Sequence, residues 1–239
     1  LRTARRASRA DASAAGELRG LIVPHAGYEY SGPIAATAYA FAAEAPPPRR
    51  VVIMGPSHFE PLRGRAVPTH DAWSIPTGDV AIDDETRRAA MAGGAITSDT
   101  PHASEHSIEV QLPFVARVWP GVPVLPIAVG TSRADHEAWP EALLTEDTLL
   151  VVSTDLSHYR DHHTARQLDT ATAARIEELD AASIGPDDAC GYHPLRVALA
   201  WARSAGLRAR LLDLRDSGDT AGDPAQVVGY CAFALEQPA

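Results

Sequence analysis

Three histidines that follow short apolar runs are the residues whose positions most clearly predict chemistry in this sequence. They lie in Pro24-His25-Ala26-Gly27-Tyr28, in Gly55-Pro56-Ser57-His58 and in Ser153-Thr154-Asp155-Leu156-Ser157-His158. In an open α/β sheet, ligands bind at the edge formed by the carboxyl ends of the parallel strands. Because all three histidines would lie at that edge, we predict that they converge on one cleft. Taken singly, each would be better explained as a loop histidine that caps a helix or bonds a backbone carbonyl.

A fourth motif, Cys190-Gly191-Tyr192-His193-Pro194, places a thiol ahead of an apolar segment whose first helical turn Pro194 suits. Thiolate and imidazole donors together favour iron, zinc or copper over calcium or magnesium. Cys190 is therefore a candidate metal ligand, and His193 is expected near the same site. The alternatives are that Cys190 is a small buried apolar residue and that His193 bonds the terminus of the helix.

The segment Glu105-His106-Ser107-Ile108-Glu109 falls near the start of a predicted helix over residues 104–118. On such a helix Glu105 and Glu109 would share a face, and His106 would point to one side. We expect Glu105 and His106 to line or support the main cleft.

The same region contains His102-Ala103-Ser104-Glu105-His106, which fits the His-x-x-Glu-His pattern of a class of zinc proteases. In that pattern both histidines bind zinc and the glutamate activates water. The motif is short, and the α/β alternation around it does not provide the helical context that the protease motif requires. Support of the main cleft is the favoured interpretation.

The elements that must position these side chains can be predicted from apolar patterning. Short apolar runs at residues 21–23, 51–54, 124–129, 149–152 and 227–235 predict buried strands. Segments between them, residues 34–43, 83–92, 104–118, 165–179 and 195–205, predict helices. This alternation predicts an α/β fold with a central, mostly parallel or mixed sheet and helices on both faces.

Length and composition favour one domain, because 239 residues with 45% hydrophobic content suffice for a single sizeable core. Residues 1–17 are rich in Arg, Ala and Ser without apolar periodicity, and they are expected to form a flexible tail. Residues 18–239 are expected to form the α/β domain.

The charged residues exclude several classes of function. The formal net charge is −10, and every basic residue other than histidine is arginine. Without lysine the chain has neither a Walker A phosphate loop nor a Schiff-base amine. An acidic chain without a basic cluster beyond its first residues is also a poor nucleic-acid binder. Two distant cysteines and the lack of a long apolar run predict a reduced, cytoplasmic protein that does not enter a membrane.

Residues 216–223, Asp-Ser-Gly-Asp-Thr-Ala-Gly-Asp, are acidic and rich in small residues. Their spacing does not match a calcium-binding EF-hand, which needs a bidentate Glu at its twelfth position. The sequence favours a solvated turn before the final strand.

The His25, His58, Glu105, His158 and Cys190 motifs occur together in an order that resembles the Memo family. The resemblance covers nearly the whole chain from about residue 18 onwards, and five ordered motifs make it specific. Residues 216–223 and Val228-Gly229-Tyr230 resemble the bacterial branch, often called AmmeMemoRadiSam system protein B.

The resemblance implies a fold similar to class III extradiol dioxygenases and one transition metal ion per chain. Iron is the ion expected first, with copper or zinc as alternatives. The implied metal ligands are His25, His58 and Cys190. His158 would face the open coordination positions as a catalytic residue, with Asp155 beside it either orienting it or capping the following helix. The residues expected to line the substrate pocket are Tyr28, Tyr30, Glu105, His106 and His193.

Three functions are consistent with these residues. The first is a dioxygenase-like redox enzyme acting on a small planar substrate, although a thiolate in place of a carboxylate ligand means that ring cleavage does not follow from the fold. The second is a zinc-dependent hydrolase or transferase with His158 as general base. The third is a module that binds a peptide or a protein, with radical SAM and AMMECR-type proteins of the same system as the expected partners.

Overall fold

Four parallel strands form the centre of the sheet in the computed structural model, which describes residues 16–131 and 143–238. In spatial order they are β1 (Leu18–Val23), β8 (Thr148–Ser153), β2 (Arg50–Pro56) and β7 (Val124–Val129). Every residue of β2, β7 and β8 is buried, so both faces of the sheet are covered. Burial on both faces is why these strands appear in the sequence as continuous apolar runs.

Antiparallel neighbours make the sheet mixed. On one side β1 pairs with β11, which pairs in turn with β10, and on the other side β7 pairs with β3. The remaining strands are β6, parallel to β3, and β9, which pairs with β11, while β4 and β5 form a separate hairpin. Their bounds are β3 Arg65–Val67, β4 Ala72–Ile75, β5 Gly78–Ala81, β6 Ile96–Thr97, β9 His158–Arg160, β10 Arg208–Asp216 and β11 Val227–Glu236.

Six α-helices are present in the described part of the chain: α1 Gly32–Ala42, α2 Asp84–Ala92, α3 Thr100–Ala103, α4 Leu112–Val118, α5 His162–Glu177 and α6 Tyr192–Ser204. Three 3-10 turns occupy Glu109–Gln111, Ala181–Ser183 and Ser217–Asp219. Asp83 and Asp161 cap α2 and α5 by accepting hydrogen bonds from backbone N–H groups. No helix among residues 16–131 and 143–238 is both long and apolar enough to cross a bilayer.

The fold class predicted from the sequence is confirmed, as are all five predicted strands. Four of the five predicted helices are present with slightly different ends. The strand β10 was not predicted, because its charged and apolar residues mix as they do on a partly exposed sheet edge. Residues 1–15, most of the predicted tail, lie outside the described part of the chain.

The helix predicted over residues 104–118 is wrong. The chain instead makes the single turn α3, then non-helical residues 104–108, a 3-10 turn and finally α4. Pro113 is one physical reason, since proline is compatible with the first turn of α4 but would break the interior of a longer helix. The carboxylate of Glu105 is the other, because it binds the backbone N–H of Ser107 locally and replaces a helical partner.

Candidate metal centre

The core of the site lies at the carboxyl ends of three adjacent parallel strands. His25 follows β1, Asp155 follows β8 and His58 follows β2, with Val23 paired to Ser153 in the sheet. These strands are neighbours in space although β8 lies far from β1 and β2 along the chain. The predicted convergence of strand-end residues is therefore what the fold produces.

Cys190 reaches this edge from the loop that precedes α6. Its backbone N–H donates to the carbonyl oxygen of Asp155 at 3.1 Å, and the backbone N–H of Asp155 donates to Cys190 Sγ at 3.3 Å. Gly191 permits the close approach, because a Cβ atom there would lie 2.8 Å from the Cβ of Thr154. These reciprocal contacts hold the thiol against the end of β8.

His25, His58 and Cys190 form one cluster whose nitrogen and sulfur atoms lie within 4.8 Å of one another. His25 Nε2 lies 3.3 Å from Cys190 Sγ, and the two imidazole centroids are 5.4 Å apart. A second cluster of the same compactness contains Asp155, His158 and Cys190. The two clusters share the cysteine sulfur, so all five side chains surround one small volume.

The hydrogen bonds of Ser153 determine the tautomer of His25. Ser153 Oγ donates its single proton to the carbonyl oxygen of Ser107 at 2.5 Å, so it can only accept from its other neighbours. It accepts from Gln111 Nε2 at 2.9 Å and from His25 Nδ1 at 3.0 Å. The proton of the neutral imidazole is therefore on Nδ1, and the lone pair of Nε2 faces Cys190.

Glu105 orients His58 in the same way. Its carboxylate accepts the backbone N–H of His58 at 2.7 Å and lies 3.1 Å from His58 Nδ1. Burial opposes ionisation of Glu105, but hydrogen bonds from His58 and from the backbone of Ser107 outweigh it and lower the pKa of Glu105 to about 2. An ionised carboxylate can only accept, so His58 Nδ1 carries the proton and Nε2 is left as a donor for a metal.

His158 also presents Nε2. Its Nδ1 donates to the carbonyl oxygen of Leu156 at 2.7 Å, which assigns the proton to Nδ1. Asp155 accepts the backbone N–H of His25 at 2.7 Å through one oxygen, and its other oxygen lies 4.0 Å from His25 Nε2. The alternative that Asp155 caps the following helix is wrong, because Asp161 caps α5.

The protonation states of His25 and Cys190 fit metal binding. Burial lowers the pKa of His25 and so favours the neutral imidazole, the form that binds metals, although nearby Asp155 acts in the opposite direction. Burial, together with the charge of Asp155, raises the pKa of Cys190 to about 12. Without a cation the sulfur is a thiol, and a bound metal ion would favour the thiolate. Two oriented imidazoles and one sulfur form a donor set suited to iron, zinc or copper.

His106 lies against the cluster. Its ring centroid is 5.7 Å from that of His25 and 6.1 Å from that of His58, with which it stacks at 22°. The prediction that His106 points to one side of a helix is wrong, because residues 104–108 are not helical. The neighbouring ring of Phe59, which is 60% exposed, lies 6.3 Å from both His58 and His106 and forms an aromatic rim.

The other residues predicted to line the pocket occupy varied positions. Tyr28 is half exposed, and its hydroxyl donates to the carbonyl oxygen of Val110 at 3.0 Å. Tyr30 is half-buried and packs against the core, while the ring of His193 lies 4.0 Å from that of Tyr192 in the first turn of α6. A role for these three residues in binding a substrate stays a prediction.

His102 does not join His106 in a zinc cluster within the part of the chain that the structure describes. Its ring packs edge-on against Trp73 at 5.3 Å, and burial lowers its pKa to about 4. The protease pattern in this segment is therefore coincidental.

Ser153, Gln111 and Ser107 contribute to the site but were not predicted from the sequence as functional residues. Ser153 and Ser107 lie within the His158 and Glu105 motifs, so their positions in the sequence could have indicated a role in the site. Gln111 had no such signal: its side chain donates to the carbonyl oxygen of Pro24 and to Ser153 from a segment that was predicted to be an ordinary helix.

Fold and site together define an α/β protein with a candidate transition-metal centre at the carboxyl edge of its parallel strands. The chain belongs to the Memo family, since the family model described as "Memo-like protein" matches residues 3–234. This match confirms the resemblance inferred from the motifs.

Individual relatives agree with that assignment. A MEMO1 family protein of Methanopyrus kandleri is 36% identical over 237 residues, covering 92% of this chain and 84% of the relative. A MEMO1 family protein of Aeropyrum pernix is 34% identical over 232 residues, covering 90% and 82%. Among solved structures, an uncharacterized protein of Escherichia coli K12 has the same fold, with a TM-score of 0.60 at 14% identity, covering 92% of this chain and 100% of that protein.

Proposed function

We propose that this protein is a non-haem metal-dependent redox enzyme that uses O₂ to oxidise a small phenolic substrate. In this proposal His25, His58 and Cys190 hold one iron ion. The observation that carries it is the cluster of two imidazoles and one sulfur, in which Nδ1 of each imidazole is engaged by a hydrogen bond and Nε2 of His25 lies 3.3 Å from the sulfur. Such orientation is typical of ligands preorganised for a metal.

The bound ion would supply one-electron chemistry and positions at which O₂ and a phenolate can meet. The chain's own residues supply the proton transfers. Because Nδ1 of His158 donates to Leu156, the neutral ring keeps a lone pair on Nε2, and His158 lies in one cluster with Cys190, so it can accept the phenolic proton of a substrate in the cleft. Asp155 lies in the same cluster, so a carboxylate stands near the ring that receives the proton.

The rim of the site supports a planar substrate. Phe59 is exposed beside His58 and His106, and the ring of Tyr28 is exposed on the loop that follows His25. Exposed aromatic side chains beside a polar centre favour a ligand with one flat apolar face and one polar edge. A catechol or a related phenol has that shape.

Anaerobic reconstitution with Fe(II), followed by O₂-uptake measurements against a panel of catechols and phenols, tests the proposal. We expect saturable uptake above that of free Fe(II). The variant His158→Ala should keep its iron and lose about 100-fold or more in turnover, as expected for removal of a general base. His163→Ala, an exposed histidine on α5, is the matched control. Uptake no greater than that of free Fe(II) with every phenol would contradict the proposal.

A zinc-dependent hydrolase on the same residues is the second candidate. It is favoured by the position of His158 in one cluster with Asp155. The Nδ1 of His158 is engaged by Leu156, so the neutral ring can deprotonate a water molecule through Nε2 without any redox change. Esterase or amidase activity that is restored by Zn²⁺, independent of O₂ and lost in His158→Ala would favour this function over the first.

A further inference from the structure

A second group of metal-type ligands lies at the same edge of the sheet, near β10 and outside the centre already described. His162 begins α5, Asp216 ends β10 and Asp219 lies in the 3-10 turn that follows. Their ligand atoms are within 4.8 Å of one another. We call these three residues the Asp216 cluster. The sequence had predicted a solvated turn here, which is wrong for Asp216, because its side chain is 1% exposed.

Two atoms of the cluster face each other without a hydrogen bond. His162 Nδ1 lies 2.7 Å from Asp216 Oδ2, but the contact lacks hydrogen-bond geometry. Both atoms are buried, and neither has another hydrogen-bond partner in the described part of the chain. A buried carboxylate oxygen without a hydrogen bond is unfavourable. Two ligand-type atoms that lie 2.7 Å apart without hydrogen-bond geometry are spaced as adjacent ligands of one cation could be.

The turn holds the two carboxylates in place. Asp216 Oδ1 accepts the backbone N–H of Gly218 at 2.8 Å, and Asp219 Oδ2 accepts the backbone N–H of Asp216 at 3.1 Å. Asp216 and Asp219 also form a capping box, in which the side chain of each accepts the backbone N–H of the other. These bonds leave Asp216 Oδ2 and Asp219 Oδ1 to face other groups, and the nearest guanidinium, that of Arg166, is 3.8 Å from Asp219 Oδ1.

The pocket beside Asp216 is also lined by another carboxylate and by two arginines, Arg166 and Arg215. Asp169 is a third carboxylate in this region and is 3% exposed. Its pKa is raised by burial, and the charge of Asp216 acts in the same direction. Asp169 also accepts the backbone N–H of Ser157 at 3.0 Å, and Ser157 directly precedes His158. A cation at the cluster would therefore offset buried charge next to the loop that carries His158.

We propose that the Asp216 cluster is a second metal site, which binds a divalent ion of the Mn²⁺ or Zn²⁺ class through one imidazole and two carboxylates. Nitrogen and oxygen donors suit these ions and would not select copper(I) as thiolates do. The side chains of His162 and Asp219 are 34% and 25% exposed, so the ion can enter from solvent and complete its coordination with water. Such an ion would connect α5 to the end of β10.

Metal stoichiometry tests this proposal in the protein without a histidine tag. The variant His25→Ala/His58→Ala/Cys190→Ser removes the first centre. After incubation with Mn²⁺ or Zn²⁺ and removal of excess ion, we expect it to retain about one ion per chain by elemental analysis, with a bound-Mn²⁺ signal in electron paramagnetic resonance. Adding His162→Gln or Asp219→Asn should weaken binding about tenfold or more.

Asp223→Asn is the matched control, because Asp223 is an exposed carboxylate of the same loop outside the cluster. It should leave binding unchanged. Retention of no ion, or an equal affinity in His162→Gln, Asp219→Asn and Asp223→Asn, would show that the cluster is an ordinary ion pair and would overturn the proposal. If the triple variant does not fold, the same decision comes from the otherwise unchanged chain, in which His162→Gln should lower the bound metal by one ion.

Discussion

Ser153 fixes the chemical form of His25: its hydroxyl accepts the Nδ1 proton of the imidazole at 3.0 Å because its own proton is already donated to the carbonyl oxygen of Ser107. The Nε2 of His25, which carries no proton in this tautomer, consequently faces the sulfur of Cys190 at 3.3 Å. A serine that touches no candidate ligand atom directly thus decides which nitrogen a metal would meet.

Removing this hydroxyl should weaken metal binding. In Ser153→Ala the His25 ring can rotate or change tautomer, so we expect affinity for Fe(II) or Zn²⁺ to fall about 10- to 100-fold. Competitive titration with a chelating dye measures the change. Ser204→Ala, which loses a single bond to the carbonyl oxygen of Trp201 at the end of α6, serves as control. Equal affinities in the two variants would refute the role of Ser153.

Glu105 should act on the metal through His58. The substitution Glu105→Gln keeps the size of the side chain but removes the charge that strengthens the His58 Nδ1 proton donation, so affinity should drop about tenfold. Glu109→Gln, an exposed change of the same kind, should have no effect. Isothermal titration with Zn²⁺ distinguishes the two, and an unchanged affinity in Glu105→Gln would argue against the geometry described.

Metal binding should release a proton from Cys190. Its pKa is raised to about 12 by burial and by the charge of Asp155, so the sulfur is a thiol at neutral pH and must ionise when it binds a metal. Affinity should therefore rise with pH, by about tenfold per unit around neutrality. Calorimetry in buffers of different ionisation enthalpy measures the released proton directly. In Cys190→Ser this release should disappear along with most of the affinity.

A methyl group at residue 191 should displace the cysteine loop. In Gly191→Ala the new Cβ would lie 2.8 Å from the Cβ of Thr154 and 2.9 Å from the carbonyl oxygen of Ser153. We expect a loss of about 1–3 kcal/mol in the free energy of unfolding, together with weaker metal binding. Gly185→Ala on the same loop, whose Cβ would have its nearest neighbour at 3.7 Å, should be close to neutral in urea denaturation.

His102 should make stability depend on pH independently of the metal. Burial lowers its pKa to about 4 from an ordinary value of 6.5, so between these values the unfolded chain binds a proton that the folded chain does not. This contribution to stability is present above pH 6.5 and is lost as the pH falls to about 4, by about 2 kcal/mol for a side chain that is not completely buried. His102→Gln should flatten this part of the stability profile in urea titrations, whereas the exposed His163→Gln should not.

The apolar runs were sufficient to predict the central sheet, because strands that are buried on both faces must be apolar along their whole length. Apolar patterning could not predict the edge strand β10 or the non-helical residues before α4. At Arg208–Asp216 the mixture of charged and apolar residues reflects partial exposure. At residues 104–108 the carboxylate of Glu105 accepts the backbone N–H of Ser107 in place of a helical partner, while it also binds His58 from a distant part of the chain.

The sequence by itself determined the fold class and the family, and it predicted that His25 and His58 meet, since residues that follow parallel strands share one edge. Cys190 follows no strand, and only the family resemblance indicated its place beside them. Only the tertiary structure decided which nitrogen each histidine presents, that His106 packs against the cluster, and that Asp216 is buried opposite His162. The physical reason is the distance along the chain over which each feature is decided. Strand positions follow from local patterning, whereas a tautomer depends on hydrogen-bond partners that are far away in sequence. Ser153, for example, is more than forty residues from both His25 and Ser107.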